Sequence, residues 1–183
     1  SALIMSNPKL FKYMFYWRKS RPSGFVNAKL KPLKDIEEIA VFSSGKTANG
    51  SKNNMQYNPQ GIVEVNKPWS RPKKYFTDRG VNPMRDSHEL TRTIKYENYP
   101  RQILEYGNTN KDLIHPTQKP VALFEYLIRT YTNEGETVLD NCMGSGTTAI
   151  ACLNTNRNYI GFELDETYFN LANERIEKCK ELA

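Results

Sequence analysis

The sequence has few of the residues that build metal centres or disulfide frameworks, and it has no long apolar run. Its 183 residues include three cysteines and two histidines, and no two cysteines form a Cys-x-x-Cys pair, so we expect no metal site. Unpaired thiols are typical of a reducing compartment, which favours the cytoplasm. Because no stretch of about 18 consecutive apolar residues occurs, we expect no contact with a membrane interior.

The composition is that of a globular domain rather than of a disordered tail. Hydrophobic residues make up 38% of the chain and charged residues 25%, with ten glycines and ten prolines. A chain of this length and composition can bury a hydrophobic core without disulfide support.

Acidic residues are absent from the first 34 positions, which carry eight of the 26 basic residues. Aromatic residues are interleaved with these charges, and a second mixed stretch follows at positions 69–75. Such a mixture is typical either of a solvated basic face or of a surface that faces nucleic-acid phosphates, and composition leaves both open. The candidates for phosphate contact are Lys19, Arg21, Arg71, Lys73 and Lys74.

Short apolar segments predict strands at residues 11–18 and 38–42, with a break at 21–24. Residues 45–112 show no sustained periodicity, and we expect an irregular binding insert there. The rest of the chain predicts a helix from Pro120, a strand at 137–140, a glycine-rich turn, a helix from about 147, a strand at 159–163 and a last helix from 165 or 166. Strand, turn, helix, strand and helix in this order indicate one unit of a parallel, doubly wound sheet.

The glycine-rich turn stands where open α/β sheets bind ligands, at the carboxyl end of a strand. Gly144 and Gly146 allow the backbone to turn tightly and to approach a ligand closely. Glu163 lies 19 residues after Gly144, at the end of the next predicted strand. Its carboxylate can accept hydrogen bonds from both hydroxyls of a ribose, which predicts a cofactor that contains adenosine.

Three ligands and one alternative without a ligand compete for this turn. A nucleoside triphosphate requires a lysine after the second glycine, and none follows Gly146. A dinucleotide fits the spacing from Gly144 to Ala149 only formally. S-adenosylmethionine has an α-amino group and no pyrophosphate, so the carboxylate of Asp140 favours it. The alternative that the turn only reverses the chain direction and binds no ligand also stays open at this point.

Three motifs occur in one order along the sequence: His115-Pro-Thr-Gln-Lys119-Pro120, then Asp140-x-x-x-Gly-Ser-Gly-Thr-Thr148, then Gly161-Phe-Glu163. This series closely resembles that of the amino-group DNA methyltransferases, which modify adenine at N6 or cytosine at N4. Upstream strings from Trp17 to Lys29 and around Tyr99-Pro-Arg101 are similar to this family too. The cofactor motif comes last, after the target-recognition region, as in the β arrangement of that family.

The resemblance implies an α/β fold, namely an incomplete doubly wound, Rossmann-like sheet with an irregular target-recognition insert. It implies transfer of a methyl group from S-adenosylmethionine to adenine N6, which we favour, or to cytosine N4 in double-stranded DNA. Asp140, Gly144, Ser145, Gly146 and Thr147 would line the methionine and ribose, Glu163 the ribose hydroxyls, and Thr117 and Lys119 the carboxylate. Residues 1–61 would form central strands, residues 62–112 the target-recognition insert and residues 113–183 the cofactor-binding unit.

The family's catalytic motif, a polar residue followed by Pro-Pro and an aromatic residue, is absent, because all ten prolines are isolated. We therefore assign no catalytic residue and expect the motif to lie upstream of residue 1, in a longer enzyme of a bacterial or phage-infected cell. The chain alone should transfer no methyl group. Its sheet should have an unpaired apolar edge, which calls for the missing N-terminal segment or a second copy. The alternative is an inactive remnant that binds DNA or cofactor.

Overall fold

A computed structural model describes residues 1–70, 91–108 and 114–181. The strands are Phe11–Ser23 (β1), Lys34–Phe42 (β2), Val63–Ser70 (β3), Thr91–Glu97 (β4), Ile103–Tyr106 (β5), Thr137–Asp140 (β6) and Asn158–Gly161 (β7). The α-helices are Ala2–Ser6 (α1), Val121–Tyr131 (α2), Thr147–Asn154 (α3) and Glu166–Glu181 (α4), and a 3₁₀ turn covers Phe25–Asn27. No helix within these ranges is long and apolar enough to cross a membrane.

The chain divides into two compact units. The first consists of Ser1–Asn58 together with Arg101–Ala183, and the second of Pro59–Pro100. The division by role into residues 1–61, 62–112 and 113–183 stays a prediction.

The first unit contains a three-stranded sheet in the order β2, β1, β5. Strand β1 pairs antiparallel with β2 and parallel with β5. Its residues alternate between buried and exposed from Phe15 to Ser20, as a strand with one covered face does. The inward side chains of Phe15 and Trp17 pack in a core with residues of β2, β5 and α2.

A parallel pair of strands, β6 and β7, forms a second sheet in the same unit, in register from Thr137 opposite Asn158 to Asp140 opposite Gly161. Helix α3 connects them, and its small residues Ala149, Ala151 and Cys152 are almost fully buried. Small side chains let the helix approach the strands closely. The predicted strand, turn, helix and strand are confirmed, and so is the α/β class.

Helix α2 packs under both sheets. Leu123 belongs to the core with β1, Ile128 belongs to the core with α3, and Phe124 contacts both cores. Within the described ranges, however, no strand pairs with the outer edges of β2, β5, β6 or β7. An open edge, as expected, therefore occurs in both sheets.

The second unit contains one antiparallel pair, β3 and β4. An ion pair of 2.9 Å joins Lys67 to Glu97, and the Arg92 guanidinium lies 4.6 Å from the Trp69 ring centroid. The prediction of irregular chain across residues 45–112 was wrong for β3, β4 and β5. A two-stranded ladder buries little on either face, so the alternation of apolar and polar residues is short, from Val63 to Asn66 in β3 and from Ile94 to Glu97 in β4.

Two predicted boundaries also differ. Strand β1 continues to Ser23 through the predicted break at 21–24, because Pro22 falls in a register irregularity between Arg18 and Ser23, where a ladder tolerates proline. Strand β7 ends at Gly161, so Glu163 lies just past the strand rather than within it.

Gly146 has a left-handed backbone at the start of α3, with φ of 71°. A Cβ at this position would lie 3.2 Å from Ile176 Cδ1 and 3.3 Å from Ala172 Cβ on α4. Gly135 has a similar φ of 79°, but a Cβ there would have no neighbouring atom within 4 Å. The two glycines therefore share a backbone constraint, and only Gly146 adds a steric one.

We expect Gly135→Ala to lower the free energy of unfolding by about 1–2 kcal/mol through backbone strain alone. Gly146→Ala should lower it by about 1–3 kcal/mol more, because α4 must also move. Urea unfolding of both variants measures the difference, and equal losses would show that α4 does not pack against Gly146 as described.

Candidate functional site

A cavity of about 680 Å³ opens in the first unit beside the carboxyl end of β6. Seven of the eight residues predicted to bind cofactor line it, and Gly146 lies in the same turn. These seven are Thr117, Lys119, Asp140, Gly144, Ser145, Thr147 and Glu163. The structure thus brings together residues that are up to 46 positions apart, from Thr117 on one loop to Glu163 after β7. Their binding of a cofactor stays a prediction.

Asp140, the last residue of β6, organises the glycine-rich turn. Its Oδ1 accepts a hydrogen bond of 3.1 Å from the backbone N–H of Cys142. Its Oδ2 accepts a short hydrogen bond from the Thr148 hydroxyl at the start of α3. One carboxylate therefore fixes both ends of the turn, while it also lines the cavity.

Glu163 closes the turn from the other strand. Its Oε2 accepts a hydrogen bond of 2.8 Å from the backbone N–H of Gly144. Its Oε1 accepts hydrogen bonds from the backbone N–H groups of Leu164 and Asp165 at 2.9 and 3.0 Å. The hydrogen bonds from Asp165 and Gly144 hold the pKa of this carboxyl below its ordinary value of 4.5, so Glu163 is ionised at neutral pH.

Ser145 and Thr147 are buried, and their side chains face the protein as well as the cavity. Their hydroxyl oxygens lie 3.1 Å apart. Arg175 of α4 donates hydrogen bonds to the Ser145 carbonyl at 2.9 Å and to Thr147 Oγ1 at 3.2 Å. Arg175 was not predicted, because a single arginine among the charged residues of α4 carries no signal of such a contact.

The loop before α2 forms a rim of the cavity. His115 Nδ1 lies 3.0 Å from Thr117 Oγ1 and accepts a hydrogen bond of 3.2 Å from the Thr117 backbone N–H. The His115 ring packs edge-on against Tyr168 of α4, with the ring centroids 4.3 Å apart. These contacts indicate that His115 holds the loop that carries Thr117 and Lys119.

Lys119 shares a carboxylate with Lys19. Glu37 of β2 binds Lys119 Nζ at 2.6 Å through Oε2 and Lys19 Nζ at 3.4 Å through Oε1. Burial alone would raise the pKa of Glu37, but the hydrogen bond and charge of Lys119, together with Lys19, outweigh burial and lower it. Glu37 was not predicted, because its role depends on pairing opposite Trp17 across β1 and β2. No signal in one sequence reveals that pairing.

The five candidate DNA contacts differ in their surroundings. Lys19 is buried, with 8% of its surface exposed, and its Nζ donates a hydrogen bond of 2.8 Å to Ser23 Oγ. This placement does not favour the predicted phosphate contact, because the ammonium already has two protein partners. Arg21 is exposed. Arg71, Lys73 and Lys74 lie outside the described residues.

An apolar wall completes the cavity, and sequence analysis did not assign it to a site. Phe124, Leu127 and Tyr131 of α2 face the cavity together with Leu139 of β6. These three side chains of α2 are half-buried.

The lowered pKa of Glu163 predicts a pH dependence of stability. A carboxyl whose pKa is lower in the folded chain stabilises the fold fully above its unfolded pKa, near 4.5, and this contribution is lost as the pH falls through the folded pKa. The difference in unfolding free energy between wild type and Glu163→Gln should be constant above about pH 5.5 and shrink below pH 4.5. Urea unfolding from pH 3 to pH 7 measures it. Glu174→Gln, on the exposed side of α4, is the control, and the same shrinkage there would contradict the assignment.

Comparison with known proteins identifies relatives for almost the whole chain. The N6_N4_Mtase family, described as DNA methylase, matches residues 2–174. The type II methyltransferase M.HpaI of Haemophilus parainfluenzae is 38% identical over 111 residues, which cover 58% of this chain and 31% of that protein. The chain thus spans under a third of the length of this curated relative.

Solved structures agree with the fold. The M1.HpyAVI–SAM complex matches with a TM-score of 0.57 and 28% identity, over 96% of this chain and 66% of that one. The cytosine-N4-specific PvuII DNA methyltransferase matches with a TM-score of 0.59 and 17% identity, over 99% of this chain and 59% of that one, which shows a shared fold. The incomplete, Rossmann-like sheet expected from the sequence is confirmed. With a family match from residue 2 to residue 174, the chain belongs to the amino-group DNA methylase family.

Proposed function

We propose that this chain is the cofactor-binding and target-recognition part of an enzyme that methylates double-stranded DNA. The enzyme transfers a methyl group from S-adenosylmethionine to an exocyclic amino group, with adenine N6 favoured over cytosine N4. One observation carries the proposal. The carboxylates of Asp140 and Glu163, at the ends of neighbouring parallel strands, face one cavity beside a glycine-rich turn.

The cavity fits S-adenosylmethionine in size and chemistry. Its volume of about 680 Å³ lies within the range usual for sites of small molecules. The carboxylates of Glu163 and Asp140 can accept hydrogen bonds from the ribose hydroxyls and the α-amino group of S-adenosylmethionine. The Lys119 ammonium can bind the carboxylate of the cofactor, and the apolar side chains of α2 can pack against its less polar atoms. Gly144 has φ of 50°, a left-handed conformation that favours glycine, whereas a Cβ there would only be in ordinary van der Waals contact with the His115 ring, at 3.7 Å. The backbone conformation of the turn, rather than lack of space, therefore favours glycine at this position.

Glu163 would hold the ribose. An ionised carboxylate has about four acceptor sites, and three backbone N–H groups already bind Glu163. About one site is left for a ribose hydroxyl. Binding both hydroxyls, as the sequence predicts, requires the Gly144 N–H to release Oε2, so cofactor binding and the conformation of the turn are coupled.

Lys119 would hold the methionine carboxylate. Lys19 and Lys119 share the single carboxylate of Glu37, which leaves one positive charge without a matching anion within this trio. The Lys119 side chain is about one third exposed, at 34%, and lines the cavity. A second carboxylate entering there would balance the charges. Glu37 then acts as a positioning residue that holds the Lys119 ammonium in place.

S-adenosylmethionine supplies an electrophilic methyl group on its sulfonium. The residues of this chain bind the cofactor, orient it through the glycine-rich turn and shield one side of it with the apolar wall of α2. They do not include the Pro-Pro motif with which this family holds the target amino group. The proposal therefore assigns cofactor binding to this chain and leaves the target amino group to another segment.

Calorimetric titration with S-adenosylmethionine tests the proposal directly. We expect saturable binding by the wild-type chain and none with NAD, because the turn lacks a partner for a pyrophosphate. Glu163→Gln should weaken binding about 10- to 100-fold, since it removes a charged acceptor of the ribose hydroxyls.

The matched control is Glu174→Gln, which removes an acid of α4 that does not line the cavity. It should bind as the wild type does. Absence of binding by a chain shown to be folded, or equal losses in the two variants, would contradict the assignment of the cavity to this cofactor.

A binding remnant without chemistry is the second candidate, and the missing Pro-Pro motif favours it. The two candidates differ in what happens when the catalytic segment is supplied. A functional part of an enzyme regains methyl incorporation into DNA, measured with radiolabelled S-adenosylmethionine and by identifying the methylated nucleoside. A remnant binds its ligands and regains nothing.

DNA contact by the amino-terminal basic residues is proposed for Arg21 in particular. We expect Arg21→Ala to reduce the dependence of log affinity on log salt by about 0.9, the value for one phosphate contact. Lys19→Ala should leave that slope unchanged and instead lower the free energy of unfolding, because it breaks buried contacts to Glu37 and Ser23. Binding isotherms on duplex DNA at several salt concentrations distinguish the two, and a lower slope for Lys19→Ala alone would reverse the assignment.

A further inference from the structure

Helix α4 holds the glycine-rich turn from behind. Its half-buried Arg175 donates hydrogen bonds of 2.9 Å to the Ser145 carbonyl and of 3.2 Å to Thr147 Oγ1. Ala172 and Ile176 of the same helix lie next to Gly146. Arg175 is not among the residues that line the cavity. Any effect that it has on a ligand must therefore pass through the residues that it binds.

The hydroxyl of Thr147 connects three other residues. Thr147 is buried, with 4% of its surface exposed. Besides accepting the hydrogen bond from Arg175, its Oγ1 lies 3.1 Å from Ser145 Oγ and donates a hydrogen bond of 3.3 Å to the Lys119 carbonyl. We call this group, Thr147 Oγ1 with Arg175, Ser145 and Lys119, the hydroxyl junction.

The direction of each hydrogen bond in the hydroxyl junction follows from the chemistry of the partners. A hydroxyl has one hydrogen and two lone pairs, a guanidinium can only donate, and a carbonyl can only accept. One lone pair of Thr147 therefore accepts from Arg175, and its hydrogen points at the Lys119 carbonyl. The second lone pair faces Ser145, so the Ser145 hydroxyl must be the donor. The protein thus fills the whole capacity of the Thr147 hydroxyl, and none is left for a ligand.

Ser145 then presents only lone pairs to the cavity. Ser145 is buried and lines the cavity, and its hydrogen is already used in the hydroxyl junction. Such an oxygen favours a ligand group with N–H or O–H, because a buried acceptor without a donor costs free energy. It disfavours a carboxylate, which is an acceptor only when ionised. The hydroxyl junction therefore determines which polar group of a ligand belongs beside Ser145.

We propose that Arg175 is a positioning residue for the methionine end of S-adenosylmethionine, an inference that rests on the proposed function. Through Thr147, Arg175 makes Ser145 an acceptor for the α-ammonium group of the cofactor. An ammonium has three hydrogens to donate, so it can bind both Ser145 and the Asp140 carboxylate, which line the same cavity. Arg175 acts in this way without contacting the cofactor.

The hydroxyl junction also holds the residue proposed to bind the methionine carboxylate. Thr147 binds Lys119 at its backbone carbonyl, and Glu37 binds its ammonium at 2.6 Å. Lys119 is therefore fixed at both ends. Glu163, the proposed partner of the ribose, takes no part in these contacts and binds the turn at Gly144 instead. Loss of Arg175 should consequently weaken contacts with the methionine end and spare those with the adenosine end.

Calorimetric titration of the chain with three ligands tests the proposal. S-adenosylmethionine carries both polar groups of the methionine end, its decarboxylated form carries the ammonium alone, and 5′-methylthioadenosine carries neither. Arg175→Met removes the donors, so that Thr147 can turn its hydrogen toward Ser145 and the Ser145 hydrogen then faces the ammonium. We expect about 10-fold weaker binding of both ligands that carry the ammonium. The affinity for 5′-methylthioadenosine should change less than about twofold.

Further variants locate the effect. Ser145→Ala removes the acceptor and should weaken binding of the same two ligands. Combined with Arg175→Met, it should cause no more loss than the larger of the two single losses, because both substitutions act on one acceptor. Arg175→Lys retains a charged donor and should restore most of the affinity. The matched control is Lys178→Met, which removes an exposed cation from the same helix and should bind all three ligands as the wild type does.

Two results would overturn the proposal. Equal losses for all three ligands in Arg175→Met would show that Arg175 only supports the fold. Additive losses in the double variant would show that Arg175 does not act through Ser145. If Arg175→Met does not fold, Thr147→Val removes the hydroxyl at nearly constant volume, and the same pattern of losses is expected from it.

The wild-type chain distinguishes this proposal from the proposed function. A folded wild-type chain that binds no S-adenosylmethionine would overturn both. A wild-type chain that binds the cofactor, with losses in Arg175→Met that do not depend on the ligand, would retain the proposed function and remove the positioning role of Arg175.

Discussion

The candidate cofactor site depends on two carboxylates that hold one turn of backbone. Asp140 binds the beginning of the turn and the start of α3, and Glu163 binds Gly144 from the end of the neighbouring strand. Without these hydrogen bonds the N–H groups of the turn would bind water instead, and the turn would lose its single conformation. The same carboxylates are the acceptors proposed for the cofactor. The structural role and the proposed binding role therefore rest on the same atoms, and a substitution of either residue affects both.

Two ion pairs that share one carboxylate organise the other side of the cavity. Glu37 fixes both Lys19 and Lys119, so the strand that carries Glu37 also orients the ammonium that faces the cavity. Trp17 lies beneath, with Lys119 Nζ 5.5 Å from its ring centroid. A loop residue is thus held by a strand residue that lies 82 positions earlier in the chain. This arrangement explains why Lys19, which follows a predicted strand end and resembles a surface cation in the sequence, is buried.

Sequence patterns were most informative where local structure and ligand geometry coincide. The segment from Thr137 to Gly161 could be predicted because a parallel strand, a glycine-rich turn and a buried helix each carry a local signal. Strands β3 and β4 carry only a short alternation of apolar and polar residues, because their faces are mostly exposed. Lys19 and Glu37 could not be placed either, since their environment depends on which strands pair. The local sequence is enough to predict a turn, whereas contacts between residues distant in sequence can be placed only when the fold is known.

Helix α2 faces two cavities at once. Its residues Leu127 and Tyr131 line the cavity beside β6 and a second cavity of about 360 Å³ beside β2. A cavity wall that is open to solvent admits water, which weakens the hydrogen bonds and ion pairs that Asp140 and Lys119 can offer to a ligand. Covering this face of α2 would therefore strengthen the proposed binding of the cofactor, because the same two side chains form a wall of both cavities.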